Sequence, residues 1–180
     1  MKINNKVLDI IKDYRHLLDS KKFNDFFNVI NNHVNATYSS YETIVQLVYE
    51  KYPECIYNMS FIPGCFFSWI ETEELIIPEN IKTIKHSAFS GGSINKLVFK
   101  GVKELDTDSV KDVYNLQTVI LPRTLEFIGN YSFYDCDRLF TLYYEGTVDE
   151  WNNIQKMSGW YIGSKILEVR CSNGIVNFRR

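Results

Sequence analysis

The residues able to do acid–base, nucleophilic or metal chemistry are scattered along this 180-residue chain. His16, His33 and His86 stand far apart, and no His pair sits at a four-residue step with the Glu of a zinc hydrolase helix. The four cysteines, Cys55, Cys65, Cys136 and Cys171, include no C-x-x-C pair, so their spacing does not build a zinc site. They read as free thiols that pack as small apolar groups. Ser90-Gly91-Gly92-Ser93 is rich in glycine, but it lacks the Lys and the helix of a phosphate cradle and reads as a turn. Two acidic groups, Glu71/Glu73/Glu74 and Asp106/Asp108/Asp112, could attract a cation. Neither has the ligand spacing of a calcium loop, and both read as solvated faces. No nucleophile–base set is recognisable, no cofactor motif is present, and the chain reads as non-enzymatic.

What does recur is an apolar pattern that must belong to the scaffold. Leu75-Ile76-Ile77-Pro78, Leu97-Val98-Phe99-Lys100, Val119-Ile120-Leu121-Pro122 and Leu142-Tyr143-Tyr144-Glu145 follow one another at spacings of 22, 22 and 23 residues. A period in this range is the mark of a solenoid, in which no unit can bury its apolar face alone and stacked neighbours bury it together. Around each strand the flanking positions repeat too. Phe67, Phe89, Val110 and Phe133 precede it, Ile62, Ile84, Leu105 and Ile128 lie earlier still, and Ile81, Val102 and Leu125 follow. The second unit is one residue shorter near Gly101.

Residues 3–52 have helical periodicity instead. Val7, Ile10, Ile11, Tyr14, Leu17 and Leu18 fall at three- and four-residue steps, and Phe23, Phe26, Phe27 and Ile30 form a second apolar side. Ser39 and Glu42 are a capping box ahead of Ile44, Leu47 and Val48, and Pro53 closes that helix. After the last repeat, Thr147 and Glu150 form another capping box. A short helix is expected over Val148–Met157, then a strand over Lys165–Cys171. The expected organisation is an α/β solenoid of about four strand-bearing repeats with three parts. These are an N-terminal helical region (1–58), the repeats (59–146) and a C-terminal helix–strand cap (147–180).

Composition narrows the partners. With 45% hydrophobic residues the chain can bury a core, and a formal charge of −2 makes nucleic acid a poor partner. The N-terminus lacks the apolar stretch of a signal peptide, and no run is long enough to span a bilayer, so the expected setting is the cytosol.

Three motifs resemble one known family. Ile77-Pro78-Glu79-Asn80-Ile81-Lys82-Thr83-Ile84 and Leu121-Pro122-Arg123-Thr124-Leu125-Glu126-Phe127-Ile128-Gly129 are similar to the I-P-x-x-I-x-x-I-G stretch of BspA-type leucine-rich repeats. Ser87-Ala88-Phe89 and Ser132-Phe133-Tyr134-Asp135-Cys136 resemble the family's A-F-x-x-C turn. Tyr144-Glu145-Gly146-Thr147 followed by Glu150-Trp151 and Ile154 is similar to its closing segment. The resemblance covers roughly residues 62–176. It implies the fold and protein binding, and it supplies no catalytic residue. The short form with N-terminal helices resembles small members from low-GC bacteria and their phages. By analogy, that implies a phage or mobile-element protein that binds and inhibits a host defence protein, as an anti-CRISPR does. The chain departs from the pattern at Lys100-Gly101, where Pro is usual, and at Val110, where Phe is usual, so the stretch Asp106–Tyr114 is expected to bulge.

Alternation in the strands singles out a surface. If Leu75, Leu97, Val119 and Leu142 face inward, then Ile76, Val98, Ile120 and Tyr143 face outward beside Glu74, Lys96, Thr118 and Thr141. Stacked repeats turn these eight residues into one ladder, apolar in every repeat, of the kind that marks an interaction site. Its expected occupant is the chain's own N-terminal helices, a partner protein, or a second copy in a homodimer. The last corresponds to a self-associating structural or virion-associated protein. Enzyme and nucleic-acid roles rank behind these.

Overall fold

The computed structural model describes residues 56, 57 and 59–178. The helical region expected over 1–58 lies outside the described residues apart from its last few positions. Phe61–Arg180 forms one compact unit.

Each coil of the solenoid contributes a two-residue strand, a tight turn, a longer strand and a corner. The short strands β1 (Phe61–Ile62), β3 (Thr83–Ile84), β5 (Glu104–Leu105), β7 (Phe127–Ile128) and β9 (Gln155–Lys156) stack in parallel into one sheet, in the order β1-β3-β5-β7-β9. The longer strands β2 (Glu71–Ile77), β4 (Ser93–Phe99), β6 (Thr118–Leu121), β8 (Thr141–Tyr144) and β10 (Glu168–Cys171) make the second. There β11 (Gly174–Asn177) folds back antiparallel on β10, giving β11-β10-β8-β6-β4-β2. A two-residue hairpin of Ser172 and Asn173 makes that reversal and ends the parallel stacking.

Register aligns the recurring residues as the sequence predicts. Leu75, Leu97, Val119, Leu142 and Val169 form one column across the second sheet. Ile62, Ile84, Leu105 and Ile128 form another across the first. All are buried, as are Ile81, Val102, Leu125 and the turn residues Phe67, Phe89, Val110 and Phe133. The Phe67 and Phe89 rings stack with centroids 5.4 Å apart. Successive coils thus bury their apolar faces against one another, which none could do alone.

The turns between the sheets have their own regularity. Two positions in each adopt left-handed backbone. The first is Cys65, Ser87, Asp108 and Tyr131; the second is Trp69, Gly91, Asp112, Asp135 and Gly163. Aspartate and glycine suit this conformation. Main-chain bonds tie each turn to the next, for example Phe67 N to Ala88 O, Phe89 N to Ser109 O and Val110 N to Ser132 O. The bulge expected over Asp106–Tyr114 is absent. Asp108 N and Asp112 N donate to Asn130 O and Tyr134 O as their neighbours do, and Val110 is wholly buried in the Phe column.

Gly101 explains the shortened second repeat. Ile77 to Ile81 and Leu121 to Leu125 enclose a corner closed by Pro78 O and Pro122 O, whereas Phe99 to Val102 has one residue fewer. The shorter path cuts inward, so a Cβ on Gly101 would lie 2.1 Å from Glu79 O. Lys100, standing where the β2 and β6 corners have Pro78 and Pro122, donates its N–H to Ile77 O at 3.0 Å, a bond proline could not make.

The closing segment is more than a cap. Helix α1 (Val148–Asn153) starts at Thr147, whose side chain accepts from Glu150 N while the Glu150 carboxylate accepts from Thr147 N. This is the capping box expected. The helix stops sooner than the expected Met157, because Ile154 turns extended and the chain enters β9. The Lys156 ammonium then donates to Trp151 O and Ile154 O at the helix end. Trp151 and Trp160 fill the last core layer, with ring centroids 5.8 Å apart. The expected strand Lys165–Cys171 is β10, begun at Glu168. It pairs in parallel with β8 as a fifth rung of the sheet.

Candidate functional site

Among the described residues, no side-chain grouping has the geometry of a catalytic centre. His86 is half-exposed beside Thr107 O and 3.5 Å from Asp108. Asp106 lies 3.9 Å from Lys85, and Asp112 accepts from the Ser90 hydroxyl. Glu73 accepts from Asn95 Nδ2 at 2.6 Å. Each of these four carboxylates therefore has a partner on a neighbouring coil. The described residues hold no cluster of three or more His, Cys, Asp or Glu able to bind a metal. Gly91, in the Gly-rich run, has a φ of 72° and lies under the Trp69 ring, so this run is a solenoid turn. Cys65 and Cys136 are buried free thiols and Cys171 is half-buried; desolvation pushes the Cys136 thiol up to about 12, far from a nucleophile's range.

The outward face of the six-stranded sheet is the remaining candidate. Strands β2, β4, β6 and β8 bring Glu74, Lys96, Thr118 and Thr141 into one row and Ile76, Val98, Ile120 and Tyr143 into the next. The first row is polar and internally bonded. The Lys96 ammonium lies 2.9 Å from Glu74, and the Thr141 hydroxyl donates to Glu168 at 3.1 Å. In the second row Ile76 is 52% exposed, Tyr143 38% exposed and Ile120 intermediate. Val98 differs from the expectation. It stands in register between Ile76 and Ile120 but is only 4% exposed. The row is thus two apolar projections on either side of a filled notch, continued by Arg170 on β10 and by exposed Ile175 on β11.

A third row escaped the sequence reading. Residues Glu73, Asn95, Gln117, Phe140 and Leu167 occupy equivalent places, within β2 and β4 and just ahead of β6, β8 and β10, joined by bonds from Gln117 N to Asn95 O and from Leu167 N to Phe140 O. The row is polar in the first coils and apolar in the last, where Phe140 and Leu167 are both exposed. With Gln117, Thr118, Arg138, Thr141 and Tyr143, Phe140 lines an open groove of about 400 Å³ over β6 and β8. The signal that could have found it was the same alignment extended one position upstream of Glu74, Lys96, Thr118 and Thr141.

A family model described as a BspA type leucine-rich repeat region matches residues 51–157, in six copies. The chain belongs to this family. The match covers more than half the sequence and spans the β1-to-β9 coils. A search of curated proteins found no match, and neither did a search of solved structures. Membership in the BspA-type family points to a protein-interaction scaffold. No helix among the described residues is long and apolar enough to cross a membrane.

Proposed function

We propose that this BspA-type repeat protein is a non-enzymatic protein-binding module of the cytosol, and that it binds through the outward face of its six-stranded sheet. One observation carries the reading. Parallel stacking keeps large apolar side chains at the same outward position, with Ile76, Ile120 and Tyr143 left open. A solvated sheet face ordinarily alternates apolar-in with polar-out, so apolar residues in the polar place call for a partner. In this reading residues 1–58 are a helical region, 59–146 the repeats and 147–180 the cap. The finer reading is a phage or mobile-element protein that engages a host defence protein. Its support is the likeness to small family members and nothing in the site itself.

Ile120→Asp tests the surface, because it puts a charge in the middle of the row while leaving the inward Val119 untouched. The expected result is loss of the partner with an unchanged melting temperature. A large fall in melting temperature would show that the row is covered within the chain. A change from dimer to monomer in light scattering would show that a second copy covers it.

A further inference from the structure

We propose that the groove over β6 and β8 takes an extended acidic segment of a partner protein. A carboxylate of that segment sits on Arg138, and a large apolar side chain beside it packs against Phe140 and Tyr143. The inference rests on the reading of the outward face as the binding surface and names the chemistry of its partner.

Charge is the first ground. Arg138 is exposed and forms no ion pair among the described residues, whereas Arg123 and Arg170 are engaged by Glu150 and Glu168. Its fork of N–H donors fits a carboxylate with two bonds, and an Arg beside aromatic rings is the usual composition of an interface anchor. Of the acidic residues of this face, Glu73 and Glu74 lie at the other end, bonded by Asn95 and Lys96, and Glu168 beside Thr141 is already engaged by Arg170. The groove end therefore favours a negative partner.

Shape is the second ground. The groove lies over β6 and β8, neighbouring strands of four residues each, and at about 3.3 Å per residue it runs roughly 13 Å along them. A single extended segment of about four residues fits that length. Phe140 and Tyr143, 51% and 38% exposed, offer its anchor two aromatic surfaces, with Leu167 on the next coil at 41%.

The test is selection of a random-peptide library on the full chain, with affinities of the recovered peptides measured by fluorescence anisotropy. The expected sequences carry Asp or Glu next to Phe, Leu, Ile or Trp. Their binding should fall at least about tenfold in Arg138→Ala and in Phe140→Ala, recover partly in Arg138→Lys, weaken as salt rises and ignore Lys103→Ala on the other sheet. Peptides without acidic enrichment, no recovered peptide, or affinity indifferent to Arg138→Ala would overturn the inference. Peptides lost on Ile120→Asp but not on Arg138→Ala would overturn it while leaving the binding face standing. Circular dichroism of each variant separates lost binding from lost fold.

Discussion

Replacing Gly101 by Ala is the smallest change that should strain the stacking. The new Cβ would stand 2.1 Å from Glu79 O and 2.8 Å from both Glu79 C and Cα, so it falls 0.9 Å inside the 3.0 Å that real Cβ contacts respect. Every atom it meets is main chain, so no rotamer change relieves the clash, and the first and second coils must separate locally. Overpacking of this kind costs about 1–3 kcal/mol, occasionally more. The shift also endangers the bonds from Lys100 N to Ile77 O and from Lys82 Nζ to Gly101 O, worth about 1 kcal/mol each. Against this, Ala restricts the unfolded chain by about 0.4–1 kcal/mol. The net expectation is a loss of about 2–4 kcal/mol, or a melting temperature lower by about 4–16 °C for a chain of this size. Thermal unfolding followed by far-UV circular dichroism reads it. Gly174→Ala is the control, because its nearest neighbour is the movable Val148 Cγ2 at 3.2 Å. A Gly101→Ala protein melting within about 2 °C of the parent would refute the inward-cut corner, and with it the account of the shortened repeat.

Other expectations follow from single residues. The Ser109 hydroxyl is buried with no partner, and Ala88 fills the equivalent place one coil earlier. Ser109→Ala should therefore leave stability equal or raise it by about 1 kcal/mol, as chemical denaturation would show. Ser132→Ala should cost about 1 kcal/mol, because that hydroxyl donates to Gly129 O at 2.8 Å and lies 3.1 Å from Asp106 O. Glu150 is held below its usual 4.5 first by the Thr147 N–H and then by Arg123. A depressed carboxylate stabilises above its unfolded value and loses that contribution as pH falls through the folded one. Acid titration from 4.5 downward should thus destabilise the parent more than Glu150→Gln. Among the described cysteines, Cys171 should react with iodoacetamide in the native protein well before Cys136, whose thiol burial holds near 12. Mass spectrometry of the labelled peptides checks the order.

Much of the fold was legible because a solenoid repeats its instructions. The inward columns Leu75–Leu97–Val119–Leu142 and Ile62–Ile84–Leu105–Ile128 combine alternation with a near-constant period, so chance apolar residues are filtered out. The phase slip at Gly101 was visible as a missing residue. What it does was not, because close approach of two main chains leaves no mark other than a glycine. Coil five was read as a cap because helix α1 interrupts it and stretches the step from Leu142 to Val169 to 27 residues. The orderly turn at Val110 was missed because main-chain bonds to both neighbouring coils hold a turn that its own side chains do not demand. On the outward face, direction followed from alternation but exposure did not. Val98 stands in the outward row yet is almost wholly buried, which alternation alone does not reveal. Phe140 and Leu167 were overlooked because earlier coils put polar residues in their row, and only the last coils make it apolar.

The central claim is that the open sheet face is where this protein meets its partner. Affinity capture with the parent chain, Ile120→Asp and the other-sheet variant Lys103→Ala, compared by quantitative mass spectrometry, tests it most directly. The account predicts one protein recovered by the parent and by Lys103→Ala but lost with Ile120→Asp, all three chains having the same circular dichroism. Equal recovery of that protein by Ile120→Asp would contradict it.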